Sequence, residues 1–69
     1  MQISARNALK GTIKLVEVGA VNTEVVLEVA PGVEITAIIT KASAEKLQLE
    51  AGKEAYAVVK SSDVMVAID

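Results

Sequence analysis

An all-β fold, a small five-stranded Greek-key barrel carrying one short helix, is predicted for this chain by three observations. Eleven Val, six Ile and four Thr are β-branched, and such side chains favour extended backbone over helix. Aromatic bulk is nearly missing, with no Phe, no Trp and Tyr56 alone, so the core is built from narrow side chains that suit thin, closely packed sheets. Apolar residues alternate with polar ones in several segments bounded by turn residues, and only one stretch changes period.

The first strand is expected over Gly11–Val18, where Ile13 and Leu15 share one side, Lys14 takes the other, and the register blurs at Leu15-Val16. Gly19-Ala20 supplies a turn or bulge. Val21–Val29 is the clearest half-buried strand: Val21, Val25, Leu27 and Val29 face one way, and Asn22, Glu24 and Glu28 the other. Ala30-Pro31-Gly32 reverses the chain, Pro31 setting φ at the first central position and Gly32 accepting positive φ at the second. Val33–Thr40 returns as the hairpin partner, with Val33, Ile35, Ala37 and Ile39 on its apolar face and Ile38 breaking the polar one, a candidate intersubunit contact.

The period then shifts. Thr40 or Ser43 can cap a helix of at most two turns through Ala44-Glu45-Lys46-Leu47, with Gly52 available to end it. Ala44, Leu47 and Leu49 can plug one end of the sheet. Ala55–Val59 reads as a strand, and Val64–Ile68, apolar on both faces, as a last strand buried in an assembly.

A chain of 69 residues is expected to form one domain over 1–69, with a small core. Folding a chain of this mass removes roughly 6,000 Å² from water, about 60% of it apolar, worth roughly 95 kcal/mol against an ordering cost of roughly 100. With no Cys or His to supply a disulfide or a zinc staple, the missing stability is expected from other copies of the chain.

Seven cations against nine anions give a net charge of -2, and the lysines are dispersed without aromatic partners, which disfavours nucleic-acid binding. No apolar run approaches membrane-spanning length and no leader pattern is evident, so a cytoplasmic protein without membrane contact is expected. The serines have no His or Cys partner, and no carboxylate spacing specifies a metal hydrolase, so an enzyme is not expected; a Ser-Lys pair of Ser61 or Ser62 with Lys60 has only adjacency in its favour.

Two polar islands interrupt the apolar pattern near opposite ends: Ser4-Ala5-Arg6-Asn7 and Lys60-Ser61-Ser62. Arg6 offers a rigid fork of donors, Lys60 a compact cation, and Ser4, Ser61 and Ser62 hydroxyls, while Asn7 can donate through its amide. That inventory suits a small anion. Each island also has a plainer reading, as a solvated strand entry with Arg6 paired to Glu17 or Glu24, or as a turn with local hydroxyl caps.

Five motifs in order, Ser4-Ala5-Arg6-Asn7-x-Leu9-x-Gly11, Gly19-x-Val21-Asn22-x-Glu24-Val25, Ile39-Thr40-x-x-Ser43, Leu47-x-Leu49-x-x-Gly52 and Lys60-Ser61-Ser62-x-Val64, resemble the molybdate-binding Mop domain of the small molbindins along essentially the whole chain. The resemblance implies a five-stranded barrel of the oligonucleotide-binding type, with terminal strands exchanged within dimers that assemble into a homohexamer, a trimer of dimers. It implies binding, storage or buffering of molybdate or tungstate at subunit interfaces, with no cofactor and no metal held directly by side chains. Carried onto this chain, the main oxyanion site uses Ser4, Arg6, Lys60 and Ser61, with Asn7 and Ser62 beside them. A second site, nearer a rotational axis, draws on Ser43, with Val21, Asn22 and Lys41 nearby. A structural or protein-interaction β-module without a specific oxyanion is the alternative, supported by the apolar composition; a pterin ligand would lack a stacking platform beyond Tyr56.

Overall fold

The computed structural model describes residues 1–69 and contains four strands, one α-helix and one 3-10 turn. β1 spans Asn7–Val18, β2 Asn22–Ala30, β3 Val33–Thr40, α1 Lys41–Lys46 and β4 Glu54–Val59, followed by the 3-10 turn Ser61–Asp63. All neighbours are antiparallel in the order β3-β2-β1-β4. The fourth strand therefore returns to lie beside the first, which is the Greek-key order.

β1 holds the molecule together because it serves two partners. Its first half pairs with β4, from Asn7↔Val59 to Thr12↔Glu54, and its second half with β2, from Thr12↔Glu28 to Val18↔Thr23. The handover needs close backbone approach. A Cβ on Gly11 would stand 2.7 Å from the Glu28 carbonyl oxygen, a contact only glycine avoids. Next to the handover, the Ile13 N–H donates to the Lys53 carbonyl and the Gly52 N–H to the Ile13 carbonyl, each at 2.8 Å, tying β1 to the approach of β4.

The strand starts four residues before the expected Gly11, because Asn7–Lys10 are held by β4, a long-range pairing that local alternation does not encode. A second departure follows from a bulge. Ile13 pairs with Leu27 but Leu15 pairs with Val26, so Lys14 is the extra residue and the phase of β1 inverts. Ile13 is buried, Leu15 is exposed on the outer face, and Val16 takes over inward packing; Ile13 and Leu15 do not share a side.

β2 and β3 form the hairpin the sequence predicts. Ala30 pairs with Val33 around Pro31-Gly32, and Gly32 has φ +75°. Inward rows run Ile13–Leu27–Ile35, Val16–Val25–Ala37 and Val18–Thr23–Ile39. Ile13, Val25, Leu27 and Ala57 are the buried centre, with Val29, Ile35, Ile39, Leu49 and Ala55 packed against it. Two expected inward residues fall outside: Val21 precedes β2 and is 72% exposed, and Val33, beyond the irregularity between Glu28 and Ala30, is 51% exposed. Ile38 lies outward opposite Glu24 and is exposed.

Thr40 caps α1, its Oγ1 accepting from the Ser43 N–H at 3.0 Å. The helix begins at Lys41, earlier than Ala44, and does not end at Gly52. Gln48 adopts the left-handed conformation at φ 53°, with its N–H bonded to the Glu45 carbonyl and the Leu49 N–H to the Ala44 carbonyl, the paired bonds of a Schellman stop. Ala44 is buried and Leu49 half-buried, whereas Leu47, expected as a plug, is exposed.

The expected fifth strand does not form within the chain. Val64–Ile68 pairs with nothing, and Met65, Val66 and Ile68 are 94%, 89% and 92% exposed. The sheet is consequently a curled, open one whose edges, β3 and β4, face each other without joining. Total accessible surface is 5462 Å², where a folded monomer of this mass has about 4,100 Å². An excess of about 1,300 Å² on one chain is larger than the roughly 800 Å² that each partner buries in a standard protein–protein interface. No helix is long and apolar enough to cross a membrane.

Candidate functional site

The antiparallel β1–β4 ladder places the two polar islands side by side. Its last rung is Asn7↔Val59. Arg6 comes immediately before Asn7 and Lys60 immediately after Val59, so the two cations flank the ladder from adjacent strands at the same end. Ser4 lies two residues before Arg6, outside β1, and Ser61-Ser62 one to two residues after Lys60, in the 3-10 turn. Lys60 is extended (φ -66°, ψ 141°), after which Ser61–Asp63 turns, the Asp63 N–H donating to the Lys60 carbonyl at 2.9 Å.

All of these residues are exposed except Asn7, which is half-buried. Neither cation is neutralised within the chain. The ion pairs are Lys10–Glu54 at 3.5 Å and Lys14–Glu28 at 3.7 Å, so Arg6 pairs with neither Glu17 nor Glu24. No side chain of Ser4, Arg6, Asn7, Lys60, Ser61 or Ser62 makes an internal hydrogen bond, which leaves the full donor set of the cluster available. Two cations at neighbouring backbone positions without an ion-pair partner, with hydroxyl and amide side chains close by in sequence, suit an anion with several acceptor oxygens.

The residues assigned to a second site also converge, at the opposite end of β1. Asn22 pairs with Thr40, and the Lys41 N–H donates to the Val21 carbonyl at 2.8 Å. The Val21 carbonyl is thus already engaged. Ser43 stands one turn into the same corner, its Oγ 2.8 Å from the donating Thr40 hydroxyl. Because Thr40 supplies the proton of that bond, the Ser43 proton is free to be donated outward. Thr40 is the member of this corner that the sequence assigned only to capping; the Thr40-x-x-Ser43 spacing was its visible signal.

Two grooves flank these corners. One, of about 420 Å³, runs beside α1 over Val16, Thr23, Ala44 and Leu49 and is rimmed by Lys41 and Lys53. The Thr23 hydroxyl, fully buried, has no hydrogen-bond partner. The other groove, of about 400 Å³, is apolar in ten of its eleven lining residues and lies between the unjoined edges, with Ala37 and Ile39 on β3 and Ala55, Tyr56 and Val58 on β4. No group of three His, Cys, Asp or Glu side chains is assembled as a metal-ion site.

Residues 3–66 match the TOBE domain. The chain is 53% identical over 66 residues to molybdenum-pterin-binding protein 2 of Clostridium pasteurianum, covering 96% of this chain and 97% of that one. Its structure is similar to that of MopII from Clostridium pasteurianum, with a TM-score of 0.91 and 51% identity over 97% of this chain and 100% of that one. It is also similar to ModG, described as a cytoplasmic molybdate-binding protein and solved with molybdate bound, with a TM-score of 0.89 and 48% identity over 94% of this chain and 46% of that one. Sequence and architecture agree over nearly the full length, and the chain belongs to the TOBE-domain family, among its small molybdenum-pterin-binding, or Mop, members.

Proposed function

We propose that this chain reversibly binds molybdate, and tungstate by the same chemistry, at sites completed between copies of itself, and so stores or buffers the oxyanion in the cytoplasm. The carrying observation is the convergence of Arg6 and Lys60 at the end of the β1–β4 ladder with no internal counter-charge. Relatives described as molybdenum-pterin-binding and molybdate-binding supply the ligand class.

Arg6 and Lys60 offset the double negative charge and the lost hydration of the anion, while Ser4 and Ser61 fix its tetrahedral orientation, with Asn7 and Ser62 contributing further donors. Ser43, with Asn22, Lys41 and the backbone at Val21, serves a second site near a rotational axis, where symmetry multiplies a few neutral donors. No bond in the ligand breaks; the activity is sequestration, not catalysis. Phosphate is the poorer ligand where the serine hydroxyls all donate to the anion, since its remaining proton then lacks an acceptor, and discrimination from sulfate falls to size and oxygen placement.

Residues 1–69 act as one Mop unit in strand-exchanged dimers that build a hexamer. Support comes from the unpaired Val64–Ile68 segment, the apolar groove between open edges and the surface excess. Calorimetric titration of the assembled protein with molybdate and tungstate, with sulfate and phosphate as competitors, tests the reading. Saturable binding that weakens at least tenfold in Arg6→Ala and in Lys60→Ala, with mass in solution unchanged, is the expected result. Unchanged affinity in both variants would remove the main site from the proposal.

A further inference from the structure

We propose that the groove beside α1 is a binding site for a small aliphatic molecule with an uncharged carbonyl head, whose oxygen accepts the proton of the buried Thr23 hydroxyl. This site does not depend on the oxyanion clusters, although Lys41 belongs both to its rim and to the corner at Ser43.

The hydroxyl lining this groove is a buried side-chain polar atom without a hydrogen-bond partner. Thr23 stands in the inward row between Val18 and Ile39, where both cross-strand neighbours are apolar. An isosteric Val at this position would avoid the cost of the unmet bond, whereas a ligand that accepts the Thr23 proton recovers it. Water does not reach the hydroxyl in the closed groove, so entry of a head group requires a lining segment to shift. The segment after α1 is built to do so. Gln48 turns it in the left-handed conformation, and its bonds from the Leu49 N–H to the Ala44 carbonyl and from the Lys53 N–H to the Glu50 carbonyl are both 3.2 Å. Its far end is pinned more tightly, by the two 2.8 Å bonds that join Ile13 to Gly52 and Lys53.

The remaining lining sets the class of ligand. Val16, Val18, Ala44 and Leu49 are aliphatic walls, and no aromatic side chain is present to stack a flat ring. At the rim Lys41 and Lys53 stand against Glu45 and Glu50, two charges of each sign with no ion pair among them, so the opening is balanced and does not select an ion of either sign. A charged head would also have to leave water for a buried hydroxyl without a counter-charge, a cost that a neutral head avoids. Among neutral heads a ketone or ester oxygen only accepts, so its bond to the Thr23 hydroxyl leaves no ligand donor unmatched, as an amide nitrogen would be. The volume of about 420 Å³ lies in the range of roughly 300–1,000 Å³ of small-molecule sites and admits a short branched chain.

Methyl isobutyl ketone is the probe, titrated into the isotopically labelled, assembled protein and followed through the backbone and methyl resonances of Thr23, Ala44 and Leu49, with isovalerate as its ionised isostere. Saturable shifts at these residues are expected with the ketone, and binding of isovalerate at least tenfold weaker. Thr23→Val is expected to lose at least tenfold in affinity for the ketone without a fall in its urea midpoint. Thr23→Ser, which keeps the hydroxyl, is expected to stay within about threefold of the wild type. The site would be overturned by any one of four results: no saturable shift with the ketone, undiminished affinity in Thr23→Val, an equal loss in Thr23→Ser, or isovalerate binding as tightly as the ketone.

Discussion

Asn7 and Val59 are the last rung of the antiparallel ladder between β1 and β4, and this single pairing brings Arg6 and Lys60, 54 positions apart in the sequence, to the same end of the sheet. The proposed anion site then needs no dedicated loop. The two strands that build the core also deliver the two charges.

Thr23 is fully buried on the inward row between Val18 and Ile39, and its hydroxyl has no partner. Replacing it by the isosteric Val removes the unsatisfied group without opening a cavity. Thr23→Val is expected to stabilise the fold by about 1–2 kcal/mol, seen as a higher urea midpoint at fixed protein concentration. A lower midpoint would mean that the hydroxyl has a partner in solution.

Gln48 stops α1 in a left-handed conformation that favours glycine. Gln48→Gly is expected to stabilise by about 1 kcal/mol, measured by thermal unfolding, because the Schellman bonds persist while the Cβ penalty disappears. Destabilisation would show that the Gln48 side chain contributes more than its backbone costs.

Gly11 is where β1 passes from β4 to β2, and an added Cβ would meet the Glu28 carbonyl oxygen at 2.7 Å. Gly11→Ala is expected to cost about 1–3 kcal/mol, because the obstacle is backbone that the sheet holds in place. Denaturation of the variant beside the wild type checks this, and equal midpoints would contradict the close approach.

Glu17 and Glu24 stand directly opposite each other on the outer face, and neither has an ion-pair partner, unlike Glu28, which faces Glu34 but lies 3.7 Å from Lys14. Glu17→Lys is expected to stabilise by about 0.5 kcal/mol at low salt and less at high salt. Thermal unfolding at two ionic strengths distinguishes this from a packing effect, which salt would not erase.

The hairpin was the most legible part of the chain because its signals are local. Alternation in Glu24–Val29 and Pro31-Gly32 between two β-branched runs specify β2, the turn and β3 with little help from elsewhere. β1 was legible only in part. Its bulge at Lys14 inverts which side chains point inward, and residues on both sides of the bulge are apolar, so the sequence shows a blurred register and not which of Leu15 or Val16 is inside. Thr23 escaped notice as a core residue because a β-branched hydroxyl reads as polar in an alternating pattern.

The donor inventory of the candidate site was visible as two polar islands in apolar surroundings. Their adjacency was not, since strand pairing between the start and the end of a chain leaves no local trace; family resemblance supplied that expectation before the ladder displayed it. Val64–Ile68 is apolar on both faces, as its composition indicates, but it pairs with neither open edge of its own sheet. Thr40 was read as a cap, which it is, while its bond to the Ser43 hydroxyl depends on side-chain placement that spacing alone does not fix.

Crystals of the assembled protein grown with tungstate, examined by anomalous diffraction at the tungsten edge, test the central claim most directly. A tungsten peak is expected at the end of the β1–β4 ladder, within hydrogen-bonding distance of the Arg6 guanidinium, the Lys60 ammonium and the Ser4 and Ser61 hydroxyls. Well-ordered Arg6 and Lys60 side chains facing separate solvent regions, with no tungsten between them, would contradict it.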